Sequence, residues 1–313
     1  MDAREAARRI RKLSSPLEPL ATSVEPILQA LPGIQAVLFD VYGTLFVSAS
    51  GEVGTHAGGD RSRALESAFE ACNLPASSRT ASLAAVLLYE EIRAAHENSR
   101  RRGIEYPEVE IRNIFSRVLE TLVTEGLLGG GSSGGDSPEI DGELCERLAL
   151  EYECRINPTW PMPGLLQLLS SLEAGGLMLG LVSNAQFYTP WLFLAHLGRR
   201  PEEMGFRGEL CAWSYRLGEA KPSPALFVPV LDRLSDRGIE AAAALYVGND
   251  RRNDIAPAAR LGCRTALFAG DRRSYRPRAE DPELAGIRPD LVLTALEQLP
   301  PLLPASPDRN ARP

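Results

Sequence analysis

Asp40 closes the run Val37-Leu38-Phe39-Asp40, just before the turn residues Gly43-Thr44. The apolar stretch reads as a buried strand. A carboxylate at the C-terminal end of such a strand sits where open α/β sheets bind ligands. It suits a nucleophile, a metal ligand or a structural cap. Three later segments bear on the choice. Ser183-Asn184 ends the apolar run Leu179–Val182 and supplies a hydroxyl and an amide for an oxyanion, or else a helix cap. Lys221 lies in a loop restricted by Pro222 and Pro224, as a site cation or as surface charge. Asp250 and Asp254, four residues apart, follow the strand-like Leu245–Val247. Such a pair can converge on Mg²⁺, which is held by few carboxylates, or can cap a helix N-terminus. Together the four segments carry a nucleophile, oxyanion donors, a cation and a metal-binding pair.

The surrounding pattern supplies the elements to position them. Candidate strands are Ala36–Phe39, Leu177–Val182, Glu209–Trp213, Ala244–Val247, Thr265–Phe268 and Asp290–Leu293. Helical segments separate most of them, which implies parallel strands with crossover helices. Phe46 to Gly54 suggests a small hairpin turning near Ser50-Gly51. Between residues 60 and 157 the chain is helix-like, with runs Ser62–Cys72, Ser82–Asn98, Val109–Glu125 and Glu143–Cys154, and a flexible loop at Gly129–Gly135. The expected fold is α/β, a doubly wound, Rossmann-like parallel sheet (34–59 and 158–300) with an all-helical domain (60–157) inserted after its first strand. Residues 1–33 read as an arm and linker, with a short solvated helix over Met1 to Lys12, and 301–313 as a disordered tail.

Composition narrows the function. The chain has 313 residues, 44% of them hydrophobic, and 34 basic against 41 acidic residues give a net charge of −7. This disfavours nucleic acid as the main partner. Five scattered cysteines without a C-x-x-C suit a reducing, cytoplasmic setting. The three histidines show no zinc-ligand spacing. The charged N-terminus lacks the apolar core of a signal peptide, and no stretch is long enough to span a membrane.

The residues resemble the haloacid dehalogenase-like hydrolase superfamily. Its first motif looks like Asp40-Val41-Tyr42-Gly43-Thr44; the others are matched by Ser183-Asn184, Lys221-Pro222 and Gly248 to Asp254. The likeness covers roughly residues 34–300, and the insert sits where the family carries a helical cap. It implies that Asp40 attacks the substrate and forms a covalent intermediate. In phosphatase members Mg²⁺ bridges that Asp and the phosphoryl group; here Asp40, the Tyr42 carbonyl and Asp250 or Asp254 would hold it. Lys221 would offset negative charge, and Thr44, Ser183 and Asn184 would bind phosphoryl oxygens.

Tyr42 departs from the phosphatase pattern, which places a second Asp there as general acid and base. An unperturbed tyrosine is a poor base at neutral pH. Tyr42 is similar to what 2-haloacid dehalogenases carry, whose halide leaves unprotonated. That subgroup needs no Mg²⁺, yet Asp250 and Asp254 are both present, whereas Asn249 stands where many phosphatases have Asp. It also uses a cap arginine to receive the halide, for which Arg61, Arg63 and Arg93 are candidates. Arg100-Arg101-Arg102 suits either an acidic substrate group or the end of a helix. Phe187, Tyr188 and Trp191 follow Ser183-Asn184 and read as core or interface packing, with a place under the cap as the alternative. The leading expectation is a Mg²⁺-dependent phosphatase of small phosphorylated metabolites. The alternatives are a 2-haloacid dehalogenase and a non-catalytic binding protein on the same fold.

Overall fold

A computed structural model of the chain describes residues 1–50, 61–128 and 138–303. Its centre is a six-stranded parallel sheet formed by β1 (Ala36–Phe39), β4 (Met178–Ser183), β5 (Phe206–Trp213), β6 (Ala244–Gly248), β7 (Arg264–Phe268) and β8 (Leu291–Leu293) in the order β5-β4-β1-β6-β7-β8. This is the expected Rossmann-like α/β fold. The order reverses at β1, so the crevice at its C-terminal end is where such sheets bind ligands. β1 is buried on both faces, which is why it reads as an unbroken apolar run. Val37 and Phe39 join one core, and Ala36 and Leu38 join the other, following the two-residue period of a strand.

Helices α6 (Leu165–Ala174), α7 (Thr189–Leu197), α8 (Ser214–Leu217), α9 (Val228–Ser235) and α10 (Ala256–Arg260) belong to the sheet domain. The insert is helical: α2 (Arg61–Ala71), α3 (Ser78–Arg101), α4 (Ile111–Thr124) and α5 (Gly142–Ile156) pack against one another around Leu65, Phe69, Phe115, Leu119 and Leu148. The helix α3 outruns the expected Ser82–Asn98 because the Ser77 hydroxyl caps it, accepting from the Thr80 amide at 3.1 Å.

Three expectations need correction. Phe46–Ser48 (β2) pairs antiparallel with Thr159–Pro161 (β3), at the far end of the insert, rather than with a neighbouring strand. The proposed turn at Ser50-Gly51 runs into residues outside those described. Second, the N-terminal helix α1 (Ala3–Leu13) is not solvated. Ala6, Ala7 and Ile10 are buried between α5 of the insert and α7 of the sheet domain, and Arg9 ion-pairs with Glu151 of α5 at 2.9 Å. The basic side chains masked this apolar stripe. The linker then runs along the sheet edge, where Ile27 exchanges backbone hydrogen bonds with Val292 of β8 at 2.9 and 3.1 Å, covering an open strand edge. Third, order continues past Pro300: Pro300–Leu302 form a helical turn and Leu303 is buried. The remainder of the tail and the Gly129–Gly135 loop lie outside the described residues.

Ile10→Ala is expected to destabilise the protein by about 2–5 kcal/mol in urea unfolding, as removal of a buried side chain does. A loss within about 0.5 kcal/mol, the range of a surface substitution, would return α1 to solvent.

Candidate active site

The strand ends converge as their order implies. Lys221 Nζ lies 2.7 Å from Asp40 Oδ1 and 2.5 Å from Asp254 Oδ1, with the three side chains 3%, 10% and 2% exposed. Burial disfavours the ammonium charge, but Asp254 and Asp40 outweigh it and raise the Lys221 pKa. Two carboxylates face one ammonium, so negative charge is in excess. Burial, with Asp40 and Asp250 nearby, therefore lifts Asp254 to about 6 against the pull of Lys221.

Asp254 is held from three sides. Its Oδ2 accepts the Asp250 amide at 2.8 Å, and the Tyr246 hydroxyl lies 3.2 Å from Oδ1. Tyr246 also accepts from Lys221 at 3.1 Å and donates to the Val182 carbonyl at 2.8 Å. Gly248 permits this approach, because a Cβ there would overlap the Asp254 carboxyl. Tyr246 is absent from the residues picked by motif: inside an apolar strand it reads as core, and only the fold turns its hydroxyl toward Lys221.

Asp250 is committed elsewhere. It caps the π-helical turn Arg251–Ile255 through the Arg252 and Asn253 amides and receives Arg278 at 2.7 and 3.3 Å. Arg278 is far along the chain and carried no sequence signal. Thr44 and Ser183 are fully buried. Thr44 donates to Asn249 Oδ1 at 3.2 Å, and Asn249 donates to the Ser274 carbonyl at 2.6 Å. The Asn184 side chain accepts the Lys221 amide at 2.7 Å and so locks that loop to β4. Gly43, at φ +77°, has room for no side chain beside Ser274 and Asn249.

A cavity of about 630 Å³ opens over this floor, lined by Asp40, Tyr42, Asn184, Lys221, Asn249 and Asp254 below and by cap residues above. Thr44 and Ser183 stand behind its wall. The cap is latched to the floor. The Ala220 amide donates to the Tyr106 carbonyl at 2.8 Å and the Glu108 amide to Gly218 at 3.0 Å. Ser214 donates to Glu108 at 2.8 Å, and Gln186 bridges Val109 and Ile111. Phe187 packs edge-on against Tyr188 and Trp191 and lies under Arg112 of the cap, 4.7 Å from its ring centroid.

Tyr42 shares a 2.9 Å hydrogen bond with Thr189. Burial and the nearby Glu153 push its pKa well above that of free tyrosine, so it is neutral at physiological pH. Glu153 also lines the cavity, is buried among Asn157 and Tyr188, and is lifted to about 6 by burial. Among the described residues, no group of three or more His, Cys, Asp or Glu side chains forms a metal cluster. No described helix is long and apolar enough to cross a membrane.

The sequence profile of haloacid dehalogenase-like hydrolases matches residues 34–262. The chain belongs to this family. The match takes in Asp40, Ser183, Lys221 and Asp254, the residues gathered at the strand ends. No curated protein matches the chain in sequence. Among solved structures, it is similar to a 2-haloacid dehalogenase from Pseudomonas syringae pv. Tomato DC3000, at 24% identity and TM-score 0.54, covering 86% of this chain and 97% of that one. It is also similar to CbbY from Rhodobacter sphaeroides in complex with phosphate, at 18% identity and TM-score 0.46, covering 85% and 96%. At 24% identity the likeness to the Pseudomonas structure speaks for the fold of this hydrolase, not for its substrate.

Two expected outcomes test the charges of the site. Lys221→Met should cost about 3–5 kcal/mol, because it leaves buried carboxylates uncompensated, and adding Asp254→Asn should recover part of the loss. An unchanged unfolding midpoint for Lys221→Met would mean that the triad is not buried. For Glu153, the folded value of about 6 lies above the ordinary 4.5. The native state therefore holds a proton that the unfolded chain has released, and stability falls as pH rises through that window. Relative to the native protein, Glu153→Gln should gain stability as pH rises from about 4.5 to about 6 and keep that gain above it. A pH-independent difference between the two would contradict the assignment.

Proposed function

We propose that this hydrolase transfers a phosphoryl group from a small phosphorylated metabolite to Asp40, and then to water. One observation carries the reading: a buried ammonium fixes one oxygen of the nucleophile beside two oxygens without protein donors. Asp40 lines the cavity, and Lys221 holds its Oδ1 but not its other oxygen. Among the described residues no hydrogen bond is donated to that oxygen or to the Tyr42 carbonyl. These oxygens suit Mg²⁺, a hard cation bound by one or two carboxylates plus substrate phosphate. The Asn249 amide oxygen is a third donor. When bound, the cation would neutralise charge on the phosphoryl oxygens. Asp254 and Asp250 have their oxygens engaged by Lys221, Arg278 and turn amides, so their role is to fix the site's shape. One carboxylate in the donor set favours weak metal binding until substrate arrives.

In the first step an Asp40 oxygen bonds to phosphorus, and the bond to the leaving oxygen breaks with its electron pair. Lys221 offsets the charge of the carboxylate and the transferring group. Asn184 offers an amide at the cavity wall, with Thr44 and Ser183 bracing the strand ends behind it. Water then attacks phosphorus, which restores Asp40 and releases phosphate. The five cysteines are free, which supports a reducing, cytoplasmic setting.

Tyr42 favours a second reading. Position 42 supplies no carboxyl to protonate a leaving oxygen, and halide departs without a proton. Asp40 would then form an aspartyl ester with a 2-haloacid, with no metal. On the phosphatase reading the same residue sets a preference. Acyl and aryl phosphates should outpace alkyl phosphates, for which missing proton transfer costs roughly 10²–10⁴-fold.

The test is phosphate release from alkyl, aryl and acyl phosphates, with Mg²⁺ and with EDTA, using Asp40→Asn as the blank. Mg²⁺-dependent turnover lost in the variant is expected. Halide release from 2-chloropropionate in EDTA, without phosphate release from any ester, would replace the phosphatase by the dehalogenase.

A further inference from the structure

The roof of the cavity carries unused positive charge. On α3, the residues Tyr89, Ile92, Arg93, His96 and Arg100 line the cavity at the three- and four-residue spacing of one helix face. Arg61, the first residue of α2, joins them. Among the described residues, Arg61 Nε and His96 Nε2 are both buried and without a hydrogen-bond partner. A buried polar nitrogen without a partner is uncommon and calls for a ligand or water. Arg93 meets Glu97 at 3.5 Å, with both side chains well exposed.

The acids lining the same cavity do not answer this charge. Asp40 and Asp254 share Lys221 on the floor, and Asp250 pairs with Arg278. Glu108 is occupied by Ser214, Gln186 and the Val109 amide. Glu153 is held by Asn157, and burial favours its neutral form. Among the described residues, the Tyr152 phenol also interacts with Arg61 and is kept neutral by burial. A cationic roof in a chain of net charge −7 is thus a local arrangement, not a consequence of composition.

We propose that Arg61 and His96, flanked by Arg93 and Arg100, form a distal anion subsite, so that the substrate bears a second anionic group, phosphate or carboxylate, remote from the bond cleaved at Asp40. This rests on the phosphatase reading for the group that reacts, but not for the anion that binds. A 630 Å³ cavity has room for such a metabolite. The roof arginines clamp one end while the floor holds the other, which would orient the reacting phosphoryl group.

Two measurements separate this subsite from the phosphatase reading. The first compares propyl phosphate, 3-phosphooxypropionate and propane-1,3-diol bisphosphate as substrates. The second anion should lower KM about tenfold or more, as a charge-assisted hydrogen bond does, and the arm with the larger gain distinguishes carboxylate from phosphate. In Arg61→Met and His96→Gln that ratio should collapse toward one. The second follows the His96 imidazole by NMR as propane-1,3-diol bisphosphate is added to the Asp40→Asn protein, with His196 as the internal reference and His96→Gln for assignment. The His96 pKa should rise on binding. If no ester turns over but His96 still responds, the subsite stands and the phosphatase reading falls. A ratio near one in the native protein, or a silent His96, overturns the subsite.

Discussion

One buried ammonium held between two carboxylates is the constraint on which the rest of the structure depends. Desolvating three charged groups costs several kcal/mol for each ion, and the mutual attraction repays this only with good geometry. Much of the sheet's C-terminal edge supplies that geometry. Asn184 fixes the Lys221 backbone, Tyr246 bridges Lys221 and Asp254, and Gly248 leaves space for the Asp254 carboxyl. The π-helical turn capped by Asp250 then carries Asp254 back beneath the strand end. Among the described residues Asp40 lines the cavity and keeps one carboxylate oxygen to which no hydrogen bond is donated, which is why it is the proposed reacting group.

The cap and the arm act on the same constraint from outside. The latch between Tyr106–Glu108 and Gly218–Ala220 ties the cap to the loop that leads into Lys221. Burial strengthens each charge interaction on that floor. Helix α1, wedged between α5 and α7, ties the cap to the sheet domain at the opposite side. Burial, rather than any unusual residue, thus sets the charge states of Tyr42, Glu153 and Asp254.

The fold was largely legible in the sequence because buried parallel strands announce themselves as apolar runs, and Asp40, Asn184, Lys221 and Asp254 follow such runs closely. What stayed hidden depends on distant partners. Tyr246 looks like core until Lys221 is placed beside it. Asp250 carries no sign in the sequence of its pairing with Arg278, 28 residues along the chain. The β2 strand finds its partner only after the whole insert has been traversed, and α1 carries three small or apolar residues beneath a basic exterior. Strand β5 begins at Phe206, ahead of the expected Glu209, because Arg207 to Glu209 are exposed and break the apolar signal.

The most direct test of the account is acid quenching during turnover of the preferred phosphate ester, followed by peptide mass spectrometry. The account requires a phosphoryl group on the peptide that contains Asp40, discharged when substrate is exhausted and absent in Asp40→Asn. Steady turnover with that peptide unmodified, or with the phosphoryl group on another side chain, would contradict it.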